Sequence, residues 1–414
     1  MNNETLLAQA EKKLTESKGI LKDFRRGYLN MFKQCGVVHN PETYKYTRLS
    51  SFLETLEVEE RESSSVSAEQ FIDSHFINLV FIDGVLKNTP STTIGLKVSS
   101  LEDSFEVAKS SLDLNSCLSS LHHSLLSSGV VIEVEKKAII KKPIKITHYV
   151  SRADVQAPTH VFKVGVFAEV SIIEEYISAE FGSFSINETY LQVAEGAQVE
   201  HVQLTQVNQK SIIHSTTRAS VDANANYKNV VIHLSGKLNR FNLNLSLNAA
   251  GANGESYNLY LTNGFEHSDI NTVIEHKAED TTSNQIAKGI LDGDSKGIFT
   301  GKIHIHPKAQ RVASGQLNKT LLLSNKAQSH SQPQLEIFAD DVKCSHGSTT
   351  GQLSDDEVFY FQARGIPADK ARTLLAYGFG FEIVLKIKNK LVQKSVENKV
   401  MEALKTKFHL GGQQ

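Results

Sequence analysis

The chain has 414 residues and a formal net charge of −2, with 44 basic and 46 acidic side chains and no long basic run. This balance gives no electrostatic support for a nucleic-acid partner or for binding to an anionic membrane. No run of 18 apolar residues is present to span a bilayer, and the polar N-terminus lacks the apolar segment of a signal peptide. Three widely separated cysteines do not form a disulfide framework. We therefore expect a cytoplasmic protein with neither a nucleic-acid nor a membrane partner.

The first part of the chain, residues 1–127, is predicted to be an α-rich N-terminal region. Apolar residues at helical spacing indicate one long helix over 3–35, which Cys35-Gly36 and Pro41 end. The apolar run at 77–84 indicates a strand that finishes in an Asp-Gly turn. The other expected elements are a charged, serine-rich loop over 60–70 and two helices, over 104–111 and 115–127.

Residues 128–348 have the pattern of a repeating β structure. Taking one alanine from each successive turn gives gaps of 26, 29, 27, 28, 31 and 30 along Ala168, Ala194, Ala223, Ala250, Ala278, Ala309 and Ala339. A nearly fixed period in this range is typical of a solenoid, whose coils bury their apolar faces by stacking. The expected fold class is mainly β: a right-handed parallel β-helix core flanked by α-helical N- and C-terminal regions. A β-sandwich is the alternative, but it would show more Asn-Gly or Asp-Gly turns.

Residues 349–414 are predicted to form a C-terminal helical domain. Ser354 and Glu357 are spaced as a capping box for a helix over 355–362, which Gly365 closes. Pro367 suits the first turn of a second helix, expected up to Tyr377. The Gly378-Phe379-Gly380-Phe381 run is interpreted as a helix break, and a long amphipathic helix is expected over 381–408. Both helical regions are expected to cap the open ends of the β-helix.

Cys344 and His346 are the first candidates for chemistry, because residues two apart in a strand share a face. A thiolate beside an imidazole suits iron–sulfur chemistry or a thiophilic metal, so both residues are candidate metal ligands. The alternative is a structural cysteine and a hydrogen-bonded histidine in the last coil. A cluster usually has four ligands, mostly thiolates, so a second chain would have to complete the site.

Three other groups of residues have weaker claims. Asp340-Asp341 is either an acid–base or calcium pair or, as we favour, a turn at a coil corner. His304 and His306 are half of a metal site at most and are expected at the surface of a coil. His122 and His123 have an equally weak claim to be metal ligands. No nucleotide site is expected, because Gly297 and Gly301-Lys302-Ile303 lack the spacing and the Ser/Thr of a P-loop.

The C-terminal part of the chain resembles the SufB/SufD family of iron–sulfur cluster assembly scaffold proteins, and the SufD branch more than SufB. The resemblance covers nearly the whole chain and is most specific from about residue 297 onward. Tyr44, where the family usually has Trp, and Ser348, where Ala is common, depart from the pattern. The matching segments are Asp340-Asp341, Cys344-Ser345-His346-Gly347, Gly351-Gln352-Leu353, Val358-Phe359-Tyr360, Arg364-Gly365-Ile366, residues 301–310, Gln316 and residues 318–324, with weaker matches at Lys45-Tyr46-Thr47, residues 80–84 and Lys142-Pro143-Ile144.

This resemblance implies a non-enzymatic scaffold subunit. His346, and less firmly Cys344, would lie at a cluster-forming interface with a SufB-like paralogue. The C-terminal domain would dock a SufC-like ABC ATPase, which would supply the ATPase activity. A transient iron–sulfur cluster and a reduced flavin would belong to the complex, with no residue here assigned to the flavin. The residues expected to dock the ATPase are Val358, Phe359, Phe361, Arg364, Gly365, Leu374, Leu375 and Phe379.

Two other functions are possible on the sequence. One is a secreted polysaccharide-active enzyme built on a β-helix, although the chain has no Trp and only scattered acidic residues. The other is a stand-alone interaction module that forms a homodimer through the same edge.

Overall fold

The computed structural model describes residues 3–17, 19–36, 44–56, 66–88, 93–109, 112, 116–126, 128–152 and 155–408. The protein is mainly β, and its core is a parallel β-solenoid of about eight turns with helices towards both termini. The expected fold class is therefore confirmed. Among the described helices, none is both long and apolar enough to cross a membrane.

The solenoid consists of two ten-stranded sheets, between which the chain alternates. Sheet A contains, in spatial order, β2 (Val85–Leu86), β1 (Ile77–Ile82), β5 (Ile144–Val150), β8 (Glu169–Ser178), β10 (Gln198–Gln206), β12 (Asn226–Ser235), β14 (Asn253–Thr262), β16 (Thr282–Leu291), β18 (Val312–Leu322) and β20 (Val342–Gln352). Sheet B contains β19 (Gln328–Ile337), β17 (Lys296–Ile305), β15 (His267–His276), β13 (Leu238–Leu247), β11 (Ile212–Val221), β9 (Phe184–Val193), β7 (Pro158–Val164), β4 (Ser128–Val134) and β3 (Leu96–Ser100), and β6 (Val155–Gln156) pairs with β9.

The alanine-containing turns all lie at one corner, where the chain passes from sheet B to sheet A. The position that recurs physically is the residue whose N–H closes each turn. Ala168, Ala225 and Ala309 are fully buried there, and their N–H groups donate to the carbonyl three residues earlier at 2.9–3.2 Å. A small side chain at this position lets the next coil stack closely. The repeat was therefore visible in the sequence because every coil meets the same steric demand.

The N-terminal helices are α1 (Asn3–Glu16), α2 (Gly19–Cys35), α3 (Leu49–Glu54), α4 (Phe105–Lys109) and α5 (Cys117–Leu125). The single helix predicted over 3–35 is wrong: the chain breaks after Glu16, and Gly19 has a φ of +56°. Of the expected loop, residues 60–65 lie outside the described residues, and Ala68–Phe71 forms one 3₁₀ turn. Pro41, residues 110–111, Asn115 and Ser127 also lie outside the described residues.

The N-terminal region does not cap the solenoid with helices, contrary to expectation. Its helices pack on the outer face of sheet B, where Leu6, Leu29 and Phe32 meet Phe184 and Ile212. The end of the solenoid is instead closed by short antiparallel strands, β2 beside β1 and β3 beside β4. Such short strands block further pairing at a sheet edge.

The C-terminal helices are α6 (Asp355–Gln362), α7 (Ala368–Val384) and α8 (Lys390–Lys407). The bounds of α6 are as predicted, and the Ser354 hydroxyl caps it by accepting from the Glu357 N–H. The break predicted at 378–381 is wrong, because this run lies within α7. The real break follows Val384, and the Asn389 side chain caps α8 by accepting from the N–H groups of Leu391 and Val392.

Helices α7 and α8 lie on the outer face of sheet A and do not cap the last coil, which corrects the second capping prediction. Their buried residues Ile383, Val396 and Val400 pack with sheet residues such as Leu259 and Ile290. Gly380 faces the sheet: a Cβ there would make ordinary contacts with Leu259 and Ile290 at 3.4–3.5 Å, so a larger side chain would have no room. Within the described chain, no strand pairs with the outer edges of β19 and β20. The C-terminal end of the solenoid is therefore open.

Candidate functional site

Cys344 and His346 lie on β20, the outermost strand of sheet A. They are in register with Ser314 and Gln316 of β18, whose side chains are buried. Both residues therefore belong to the row that faces the interior of the solenoid, as their spacing predicted. His346 is nevertheless exposed, because no coil follows β20 in the described chain. The imidazole stands at the mouth of the open end.

Cys344 has a different environment from that of His346. Its side chain is half-buried against an apolar cluster that includes Ile303, Ile305 and Val312. This burial raises the pKa of the thiol, which keeps it protonated near neutral pH. The two residues thus offer one exposed nitrogen and one protected sulfur. Two side chains could supply at most half of the four ligands that a cluster usually has.

The edges around this pair are long and unprotected. Strand β20 has 11 residues and β19 has 10. The turn that links them carries Phe338, which is 60% exposed, and Ile337 beside it. Unpaired N–H and C=O groups along such edges form a template for strands of another chain.

The acidic pair Asp340-Asp341 lies in the same turn, as we favoured. The backbone of Asp341 accepts from the Arg311 N–H at 2.6 Å and donates to the side chain of Gln310 at 3.0 Å. Arg311 also binds the carboxylates of Asp280 and Glu279, each at 2.7 Å. These contacts fix one coil corner to the next, which is a structural role.

His304 and His306 lie on the outer side of sheet B near the open end. Their rings are 4.5 Å apart, so they share a face as predicted. Both are half-buried, and His304 Nδ1 is 2.9 Å from a carboxylate oxygen of Glu336, which also binds Lys302. The two histidines are therefore more enclosed than the surface position that we expected.

His122 and His123 are fully buried. Their Nδ1 atoms are 3.2 Å apart, and His122 Nδ1 is 3.6 Å from the Glu188 carboxylate. Burial lowers the pKa of His122 to about 4, so the imidazole is neutral at pH 7. Arg218 also binds Glu188, at 3.5 Å, and its positive charge opposes a metal ion there. The helical spacing of Leu118 and His122 could have placed His122 on the buried face of α5.

The sequence analysis also missed a buried group of polar side chains around Glu174, inside the solenoid. The Glu174 carboxylate accepts from His201 Nε2 at 3.1 Å, Tyr176 at 2.6 Å, Thr189 at 2.9 Å and Gln203 at 3.1 Å. Burial alone would raise the pKa of Glu174, but His201 and Tyr176 hold it well below its usual range. The alternation of Val199, His201 and Gln203 was the available signal, since alternate residues of a solenoid strand point inward.

The C-terminal helices present an apolar surface on α6 and α7. Phe359 and Tyr360 on α6 are 68% and 56% exposed, and Leu374 on α7 is 40% exposed; we call these three residues the helical patch. The Arg364 guanidinium stacks on the Tyr360 ring at 3.5 Å from its centroid, and Gly365 is exposed. The other expected docking residues are more enclosed: Val358 is buried, and Phe361, Leu375 and Phe379 are half-buried.

Comparison with known proteins links this arrangement to one family. Residues 147–379 match the family model described as SUF system FeS cluster assembly, SufBD core domain, which covers more than half of the chain. The chain is 29% identical to an iron–sulfur cluster assembly SufBD family protein of Synechocystis over 88% of this chain and 87% of the relative. It is 26% identical to the iron–sulfur cluster assembly protein SufD of Escherichia coli, over 88% of each. It is 27% identical to Protein ABCI7, chloroplastic, of Arabidopsis thaliana, over 85% of this chain and 78% of the relative.

Proposed function

Because the chain belongs to the SufBD family of iron–sulfur cluster assembly proteins, we propose that it is a SufD-type scaffold subunit. It pairs with a SufB-like paralogue through the open end of the solenoid and binds a SufC-like ABC ATPase through α6 and α7. His346 contributes to the interface where the nascent cluster forms. The subunit is not itself an enzyme, and it acts in the cytoplasm.

The observation that carries this proposal is the asymmetry of the two ends of the solenoid. The N-terminal end is closed by β2 and β3, whereas β19 and β20 leave two long adjacent edges unpaired in the described chain. A partner with the same two-sheet core could continue both sheets at once. The half-complete ligand pair at the mouth of this end supports the same conclusion, because a second chain there would supply the missing ligands.

The helical patch supports docking of a second partner. Three large apolar or aromatic side chains are exposed on these two helices, Arg364 stacks on one of them, and such anchors are typical of interface hot spots. Val358, Phe361, Leu375 and Phe379 would support the patch from beneath. The ATPase would therefore bind on a different part of the molecule from the paralogue.

Helices α7 and α8 are coupled to sheet A, so a movement of the ATPase would reach the open end. The Lys288 ammonium on β16 donates to the Phe379 carbonyl of α7 at 2.9 Å. The Glu200 carboxylate on β10 accepts from the backbone N–H groups of Lys388 and Asn389 at 2.6 and 2.9 Å. Because β20 belongs to the same sheet, strain applied through these contacts would act on the strand that carries His346.

Co-expression with a SufB-like and a SufC-like protein tests the proposal. We expect a ternary complex that assembles a cluster, and we expect the His346→Ala variant to form the complex but assemble less cluster. Phe359→Asp with Leu374→Asp should lose the ATPase and keep the paralogue. Leu385→Asp, at an equally exposed apolar position outside the patch, is the matched control and should keep both.

A second copy of this chain is an alternative occupant of the same open end. The mass of the purified chain, measured alone and then with the paralogue, distinguishes the two cases. A homodimer that the paralogue does not displace would contradict the heteromeric assignment. Normal cluster assembly in the His346→Ala complex would contradict the role of His346.

A further inference from the structure

Two of the three cysteines are far apart in the sequence but meet in the fold. Cys35 is the last residue of α2, and Cys117 is the first residue of α5. The thiol of Cys35 forms a side-chain hydrogen bond with that of Cys117. Both cysteines are free and half-buried, so the pair lies at the edge of the N-terminal helical layer and is open to small reagents. The third cysteine, Cys344, lies on β20.

The packing of α2 against α5 explains why the two thiols meet. The ring of His123 on α5 lies against the rings of Phe24 and Tyr28 on α2, at centroid distances of 5.3 and 4.9 Å. Cys35 follows Tyr28 by about two helical turns on the same face of α2, whereas Cys117 precedes His123 on α5. The two helices are therefore antiparallel, and the end of α2 lies beside the start of α5.

A covalent link at this point would join parts of the N-terminal region that pack on sheet B. Leu29 of α2 and Leu121 of α5 belong to one buried cluster with Phe184 of β9. The stretch of chain between the two cysteines contains β1, β2 and β3, and the last two of these strands close the N-terminal end of the solenoid. A disulfide that closes a long loop restricts the unfolded chain and so stabilises the folded one.

We propose that Cys35 and Cys117 form a reversible intramolecular disulfide when the protein meets a small disulfide such as oxidised glutathione. The Cys117 thiolate first attacks one glutathione sulfur, so that a mixed disulfide forms and one glutathione leaves as its thiolate. The Cys35 thiolate then attacks the Cys117 sulfur, the protein disulfide forms, and the second glutathione leaves. The two protein thiols thus lose two electrons, which reduce the oxidised glutathione, and their two protons pass to the glutathione thiolates.

The environment of Cys35 sets the order of these steps. Burial and the neighbouring Cys117 thiol raise the pKa of Cys35 to about 11, so Cys35 is a poor nucleophile near neutral pH. We therefore assign the first attack to Cys117. In the second step the two sulfur atoms are already held together, and this proximity offsets the small thiolate fraction of Cys35. In a reducing compartment the thiols remain reduced until the supply of oxidised glutathione rises.

The test uses the purified full chain, equilibrated with oxidised glutathione and afterwards with an excess of reduced glutathione. We expect the oxidised chain to lose two of its three free thiols and the mass of two hydrogen atoms, and to yield a peptide that links Cys35 to Cys117. Its thermal unfolding temperature should rise by about 2–5 °C and return on reduction. Cys344→Ser is the matched control and should retain both the link and the rise.

Single serine variants test the order of the two steps. Cys35→Ser should stop at the mixed disulfide and carry one glutathione on Cys117. Cys117→Ser should take up glutathione at position 35 several-fold more slowly, because the remaining thiol is the poor nucleophile. Faster uptake by Cys117→Ser than by Cys35→Ser would overturn the assigned order.

The remaining outcomes decide the disulfide itself. Three free thiols after oxidation, two separate glutathione adducts, or a link through Cys344 or to a second molecule would each overturn it. A Cys35–Cys117 link without a rise in the unfolding temperature would overturn its stabilising role. The mass, the linked peptide and the unfolding temperature are measured on the wild type, so they decide the question even if a serine variant does not fold. The inference goes beyond the proposed function and needs neither partner nor cluster, so each can fail without the other.

Discussion

Replacing Glu174 by Gln should be among the most destabilising single changes in the solenoid. The carboxylate is fully buried and accepts four hydrogen bonds, from His201, Tyr176, Thr189 and Gln203. A glutamine would direct an NH₂ group at these donors and leave the facing imidazole without its carboxylate. Removing a charged, buried acceptor of several hydrogen bonds in this way costs about 3 kcal/mol. With a urea dependence of roughly 3 kcal/mol per molar, the unfolding midpoint should fall by about 1 M.

Urea unfolding followed by circular dichroism at pH 7 measures this effect. Glu169→Gln is the matched control, because Glu169 lies on the same strand with an exposed side chain, and its midpoint should stay near that of the wild type. The pKa of Glu174 is lower in the folded protein than its ordinary value of 4.5, so its stabilisation is complete above that pH and declines as the pH falls further. The difference in urea midpoint between Glu174→Gln and the wild type should therefore become smaller in acid. Equal midpoints for the two variants at pH 7 would refute the reasoning.

Three further predictions concern the helices and the pH dependence of stability. Gly380→Leu should destabilise the protein, because a leucine side chain there would collide with Leu259 and Ile290. Gly378→Leu should be tolerated, because nothing lies within 4 Å of a Cβ at that position. A lower thermal unfolding temperature for Gly378→Leu than for Gly380→Leu would contradict the packing of α7. Asn389→Ala should cost about 1 kcal/mol by removing the α8 cap, and a urea midpoint unchanged from that of the wild type would show that the cap is not needed. Burial lowers the pKa of His233 to about 3 and that of His276 to about 4, so the unfolded chain binds more protons below about pH 6.5, and stability should fall as the pH drops from there towards 4. A melting temperature constant from pH 7 to pH 5 would contradict that assignment.

The solenoid was predictable because its coils repeat one local solution. Most turns from sheet B to sheet A have a small residue at the same position, so small residues recur at a nearly constant spacing in the sequence. The position of Cys344 and His346 on one row was predictable for a similar reason, since alternation along a strand is a local property. Neither inference requires knowledge of distant contacts.

The helices show where local reasoning fails. The apolar pattern of α1 continues into α2, so the break before Gly19 is hidden from a periodicity argument. Gly378 and Gly380 suggest a break, but both lie within α7, which packs on sheet A through Gly380. That packing also explains why the helices cover the outer sheet faces and not the ends, as each face offers more apolar area than a single coil. The contact of His122 with Glu188 could not be predicted, because the two residues are distant in sequence.

The open end of the solenoid is where both parts of the proposed function, pairing with the paralogue and cluster formation, would take place. Two adjacent edge strands of 10 and 11 residues would be an aggregation hazard in a protein that acts alone, and the same chain closes its other end with short antiparallel strands. The exposed imidazole of His346 lies beside these edges. In the proposed assembly, a partner that completes the strands would also cover His346, so pairing and cluster formation would occur at one surface. Substitutions that weaken pairing along β20 should therefore reduce cluster assembly even where His346 is intact.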